Sequence, residues 1–442
     1  MNYEKIKSAV LALLVLISLA FTWGIWNYQP SYETIADGAD DIVTEVEIGQ
    51  QRKISELVKP SKIISHQGSS HYGTVSEQEL DWIMDEMTKW TFFEPEDVSR
   101  SLLNKQEFSE LLSNDSHVEL FFSSSVPFNT IKTMFSFNDT AVPNAVFNRI
   151  IITEEENKAF VYFVSVQERL VFRSQIETRS LKEFKNRYVE DSERLKPYIS
   201  YQIPKGSLLY VQKEPPLLTM QSYLSEQIEE IEAETFKRAL FNDPSYVRRG
   251  SRSDSDEYTD GSSFMRINSN TGTVRYVNSA ETPQSMPLDQ LIEKSINFVN
   301  DHNGWVDDYR LFKAEPGSSD ISYRLFLGDF PVFDSQGMAE LSQSWGQDRI
   351  YQYDRSSFIV QRDKPLPEET VELQSGQKAL NQVINLESID PLLLTDMRIG
   401  YEMTLEQESR KILTLKPFWY YQYNGEWQKL FTDEGRPADG LE

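Results

Sequence analysis

Apolar residues along this chain fall into three patterns, and each predicts a different element. The first is an unbroken run. No charge interrupts the sequence from Ala9 to Phe21, and Trp23, Ile25 and Trp26 extend it, so 8–28 reads as one apolar helix. About twenty residues at ~1.5 Å each cover roughly 30 Å, enough to cross a hydrocarbon core. The second pattern is helical periodicity. Leu80, Ile83, Met84 and Met87 recur at i, i+3, i+4 and i+7, behind Ser76 and Glu79 in the Ser-x-x-Glu spacing of a capping box. Leu288, Leu291, Ile292, Ser295, Ile296 and Val299 give a helix over 287–300 the same kind of face. The third pattern is short apolar stretches between turn residues, which predict strands at 62–66, 118–122, 147–153, 159–166 and 170–176.

These elements order the chain into segments. Residues 1–7 precede the apolar helix, and 29–50 is an acidic, weakly patterned tether. An α+β domain follows over 51–180, with a further short helix at 105–112. A middle α+β domain over 181–284 begins with a helix at 180–195 and is punctuated by Pro197, Pro204, Pro215 and Pro216. It continues with a helix at 222–241, a polar loop at 248–256 and a hairpin of 264–268 with 273–278. The last domain, 285–442, carries aromatic-rich strands at 322–328, 349–353, 358–362, 400–405 and 411–415. Its strongest local signal is Asn424-Gly425 between two aromatic runs, a two-residue hairpin turn in which both positions need φ > 0. The expected class is α+β: one N-terminal transmembrane helix, then three extracytoplasmic domains, the last an antiparallel sheet or small barrel.

Flanking charge orients the apolar helix. Lys5 and Lys7 precede it, the next basic residue is Arg52, and Glu33, Asp37, Asp40 and Asp41 follow it. The positive-inside rule then puts the N-terminus in the cytoplasm and the bulk outside, making a single-pass protein of the cell membrane. Trp23, Trp26 and Tyr28 form an aromatic belt at the outer interface, and Pro30 stops the helix. A cleaved signal peptide ending at Ser18-Leu19-Ala20 is the rival reading, opposed by the apolar run that continues from Phe21 to Trp26. Ala20 and Gly24 are a small-xxx-small pair, with the hydroxyls of Ser18 and Thr22 beside them. That face suits close packing on a partner helix, although such residues are also ordinary in membrane helices.

A net charge of −25, from 69 acidic against 44 basic residues, argues against nucleic acid as a partner. The absence of cysteine excludes disulfides and thiol chemistry, and fits a Gram-positive cell surface. The chain contains no phosphate-binding glycine loop, no His-Glu-x-x-His and no Gly-x-Ser-x-Gly. Ser375-x-x-Lys378 lacks the companion motifs of penicillin-recognising enzymes and reads as a helix N-cap. The stretch from Asp254 to Gly261 fails as a calcium loop, because Tyr258 and Met265 stand where oxygen ligands are required. His66 and His71 lack companion ligands at metal spacing and read as loop histidines. No catalytic residue, cofactor or metal ligand is therefore assigned. A carboxylate pair in a cleft leaves a wall-processing enzyme open, and an aromatic-lined pocket in the last domain leaves a ligand-sensing module open.

Taken in order, several segments resemble the YycH family. They are 21–30, Tyr258-Thr259-Asp260-Gly261, Trp345-Gly346 leading into 350–355, Gly400-Tyr401-Glu402-Met403 and Pro417-Phe418-Trp419-Tyr420. The resemblance spans essentially the whole chain and rests on the order of these segments, the length and the single N-terminal anchor. It implies an exported accessory regulator of the WalK (YycG) sensor histidine kinase, controlling cell-wall metabolism. It also implies a single-pass YycI-like partner, complex formation through membrane helices, and no catalytic residues.

Overall fold

The computed structural model describes Leu14, Ser18 and residues 48–93, 95–101, 116–138, 141–203, 208–361, 366, 369–406 and 412–431. Val46–Glu442 cluster as one unit and Met1–Glu45 as another. Leu14 and Ser18 are helical and exposed; the rest of 8–28, and the short helix expected at 105–112, lie outside the described residues. Among the described residues no helix is long and apolar enough to cross a membrane.

The larger unit is mixed α+β and dominated by two sheets. The first grows from a hairpin of Lys62–Gln67 and Ser70–Thr74, whose turn uses the left-handed backbone of Gly68 (φ 59°). On one side of this hairpin the sheet adds Ser116–Pro127, Val146–Glu155, Lys158–Ser165, Leu170–Ile176 and Glu96–Asp97. On the other side it adds Lys196–Gln202 and Leu208–Gln212, and every pairing is antiparallel. Period-two alternation sends Ile63, Val118, Leu120, Ile150 and Ile152 into the main core. The helix Glu77–Thr88 buries Leu80, Ile83, Met84 and Met87 in that core, the face its spacing predicts.

Its cap differs from expectation. The Ser76 hydroxyl makes no capping bond. Glu79 instead accepts from Arg187, Arg194 and the Tyr188 hydroxyl, each at 2.8 Å. The Glu77 amide donates to the Asp329 carboxylate of the second sheet at 2.8 Å. Two arginines compete better for a carboxylate than one backbone amide does, because both partners carry charge.

The second sheet runs, from one edge, through Arg248–Ser251, Ser255–Thr259, Ser263–Asn268, Thr273–Asn278, Ile350–Ser356, Glu340–Trp345 and Asp320–Leu327. It continues through Phe330–Phe333, Leu394–Glu406, Ile412–Tyr423 and Leu217–Leu224 to Glu369–Glu372. Phe330–Phe333 lies parallel to Leu394–Glu406, and the other pairings are antiparallel. Two expectations are corrected here. Residues 248–256 form an edge hairpin rather than a loop. Only Ala233–Leu240 of 222–241 is α-helical, because Leu217–Leu224 pairs with Ile412–Tyr423 and buries Tyr223. A vacant sheet position outweighs the few tenths of a kcal/mol per residue by which propensity favours helix. The region 180–195 is helical only in short pieces: 3₁₀ turns, one α turn and a π turn.

Other local signals hold. Asn424 and Gly425 take φ of 51° and 84° and close the hairpin of Ile412–Tyr423 with Glu426–Lys429. Ser375 caps Gly376–Ile384, accepting from the Lys378 amide at 3.3 Å. The chain passes from one sheet to the other between Gln212 and Leu217, whereas the periodicity set its boundaries at 180/181 and 284/285. The sheets meet through Leu209 and Val211 against Leu380, Val383, Met397 and Trp419. Gly376 approaches the Gln212 carbonyl so closely that a Cβ there would overlap it.

Candidate functional site

Strand register assembles a polar cluster on the face of the first sheet opposite the main core. His66 stands across from His71 within the hairpin and across from His117 on the next strand, so three of the chain's four histidines share one row. The His66 and His117 rings stack with centroids 4.1 Å apart, and His66 Nδ1 lies 3.0 Å from His71 Nδ1. His66 and His71 are thus paired strand residues rather than loop residues, because the turn between them is confined to Gly68 and Ser69. Glu119, two residues beyond His117 on the same face, is fully buried. Arg149 Nη1 donates to Glu119 Oε1 at 2.8 Å, while Glu119 Oε2 lies 3.5 Å from His66 Nε2. A row farther along, Phe121 sits between Lys62 and Arg149, with the cations 4.9 and 4.7 Å from its ring centre.

Burial and charge compete in this cluster. Burial alone would raise the Glu119 carboxyl, but Arg149, His66 and His117 outweigh it and hold the group at about 2. Burial, aided by His66, pushes His71 down to about 4 against the pull of Glu119. Burial lifts the Tyr210 phenol above its usual range. The result is an ionised carboxylate beside a neutral imidazole at neutral pH, an arrangement suited to holding a cation or sharing a proton. Toward the second sheet, Lys62 pairs with Asp396 at 3.3 Å, and Asp396 accepts from Arg398 Nε at 3.0 Å.

A second feature is a groove of about 780 Å³ on the second sheet. Phe333 and Tyr420 stack with centroids 4.0 Å apart, and Phe312 and Trp427 complete an aromatic wall. Arg324 lies over Phe312 and Phe333, and Lys429 lies 4.7 Å from the Phe418 ring centre. Each cation has a carboxylate: Glu340 for Arg324 and Glu402 for Lys429.

Of the residues assigned from sequence to a helix interface or an aromatic belt, Ser18 is helical and exposed. Ala20, Thr22, Gly24, Trp23, Trp26 and Tyr28 lie outside the described residues. The histidine row escaped sequence reasoning because His117 is remote from His66 in the chain. The available signal was that His66 ends one predicted strand, 62–66, and His117 stands immediately before another, 118–122.

Comparison with known proteins identifies the class. Residues 4–192 match the family model "YycH protein, N-terminal domain", and residues 207–434 match "YycH protein, C-terminal domain". The chain belongs to the YycH family. It is 24% identical, over 96% of both chains, to the Bacillus subtilis (strain 168) protein named two-component system WalR/WalK regulatory protein YycH. The crystal structure of YycH from Bacillus subtilis shares the fold, with a TM-score of 0.73 and 21% identity over 88% of this chain and all of that one. An uncharacterized protein from Eubacterium rectale is far less similar, with a TM-score of 0.33 and 9% identity over 55% of this chain and 89% of that one.

Proposed function

We propose that this protein is a membrane-anchored, extracytoplasmic regulator of a WalK (YycG)-type sensor histidine kinase governing cell-wall metabolism. It acts by complex formation through its membrane helix together with a YycI-like single-pass partner. The observation that carries this reading is the match, along 96% of both chains, to a protein named as a WalR/WalK regulator. The uncharged run within 8–28, the basic residues before it and the acidic ones after it support a single-pass topology with the C-terminal region outside. Regulation by binding requires different packing free energies with the two signalling states of the kinase, since equal affinity would shift nothing.

The test is a pull-down from detergent-solubilised membranes, read by mass spectrometry. The natural chain is compared with one whose residues 9–25 are replaced by a generic Leu/Ala span. Co-purification of a sensor kinase and a second single-pass protein, lost after the replacement, is the expected result. Retention of both after the replacement would move the interface to the extracytoplasmic unit, and recovery of no kinase with either chain would end the regulator reading. The aromatic groove favours a ligand-sensing role as the second reading. It predicts that Trp427→Ala alters signalling while leaving the pulled-down partners unchanged.

A further inference from the structure

We propose that His66, His117 and Glu119 form a binding site for one divalent transition-metal ion of the zinc type, with His71 and Arg149 as positioning residues. One ligand atom from each of the three lies within 4.8 Å of the others, and all three residues are buried. Zinc takes nitrogen and oxygen donors at about 2.0–2.2 Å, so tetrahedral ligand atoms stand roughly 3.3 Å apart. The observed spacing reaches that value with small side-chain adjustments.

Hydrogen placement points the same way. His66 Nδ1 and His71 Nδ1 are 3.0 Å apart, so one of them donates to the other. If His71 donates, the His66 Nε2–H faces Glu119 Oε2 at 3.5 Å, too long for a good hydrogen bond. If a neutral His66 donates, its Nε2 lone pair confronts the carboxylate across that gap, and either a proton on Nε2 or a metal ion between them removes the conflict. The second arrangement is that of a metal-bound histidine whose other nitrogen donates to an outer acceptor. His71 Nδ1, 3.0 Å away, supplies that acceptor. Arg149 fastens Oε1 of Glu119 and leaves Oε2 for the ion.

Three protein ligands leave the fourth position to water. Tyr210 packs edge-on against His66 and His71, and its buried hydroxyl has no hydrogen-bond partner among the described residues, so it is available to such a water. Two imidazoles with one carboxylate select zinc-like ions over calcium or magnesium, which take oxygen ligands. Half-buried His71 marks the route of entry.

Full-length protein in detergent, stripped with chelator and dialysed, is titrated with ZnCl₂ at neutral pH against a chromogenic competitor, and separately with Co²⁺. One bound equivalent is expected, with tetrahedral Co²⁺ absorption and a zinc-dependent rise in Tm. His117→Gln and Glu119→Gln abolish binding. His71→Gln weakens it about 10–100-fold. His302→Gln, at the remaining histidine, leaves it intact. Failure of the natural chain to bind zinc overturns the proposal whatever the variants do, as does undiminished binding by folded His117→Gln and Glu119→Gln. Should those variants not fold, X-ray absorption of the zinc-loaded natural chain decides: an inner shell of nitrogen and oxygen with two imidazoles supports the site, and any other shell rejects it.

Discussion

On the first sheet, Glu119 lies wholly beneath the surface with Arg149 11% exposed beside it. In the groove of the second sheet, Lys313 and Glu426 make an ion pair of similar length, 2.8 Å, with side chains 57% and 72% exposed. The same chemistry therefore has different consequences in the two places. A buried carboxylate loses its water, and its arginine is then indispensable even though the pair as a whole adds little net stability. An exposed pair exchanges water for a partner at nearly no gain. The groove adds aromatic faces, on which Arg324 and Lys429 rest their charged groups. The first region is thus built to keep its charges in place, and the second leaves Lys313 and Glu426 within reach of solvent and of a visiting molecule.

The sharpest way to break that comparison is Arg149→Met, which strands Glu119. Denaturant unfolding followed by tryptophan fluorescence is expected to show a loss of about 3–5 kcal/mol. Adding Glu119→Gln to the same chain is expected to recover more than half of it. A loss within about 1 kcal/mol for the single variant would contradict the structural role given to this pair.

Acid probes the same region without mutation. Glu119 is held at about 2, below its ordinary 4.5, so its contribution is complete above 4.5 and disappears as pH falls through about 2. That contribution is on the order of 3 kcal/mol. His71, depressed from 6.5 to about 4, resists protonation in the folded state, so stability also declines as pH falls from 6.5 toward 4. Melting temperature against pH is expected to fall through both windows; His302, which burial and Arg355 push down to about 3, shares the upper one, so His71→Gln makes that fall shallower without removing it.

Smaller effects test how the two sheets are joined. Gly376→Ala sets a methyl against the Gln212 carbonyl and is expected to cost about 1–3 kcal/mol in denaturant midpoint. Asp329→Ala removes the carboxylate that receives the Glu77 amide and is expected to cost about 1 kcal/mol, read by the same measurement. Lys313→Ala, in the exposed pair, is expected to change stability by less than about 0.5 kcal/mol, and a larger change would erase the contrast between the two regions.

Local free-energy preferences were legible in the residues. The buried face of Glu77–Thr88, the Asn424-Gly425 turn and the Ser375 cap all depend on neighbours within a few positions, and each formed as its spacing requires. The family itself was legible in the order of scattered segments. Residues 222–224, the end of the strand Leu217–Leu224, were misread as the start of a helix because their pairing partner, Ile412–Tyr423, lies far along the chain. The capping box failed because Arg187, Arg194 and Asp329 arrive from other elements. Composition and periodicity thus determined, by themselves, an uncharged N-terminal run, an α+β class and the inward faces of its helices. Tertiary structure alone decided which strands became neighbours, and with that the alignment of His71, His66 and His117 beside Glu119. Register is set by long-range pairing and burial, and no residue carries it in its own local preference.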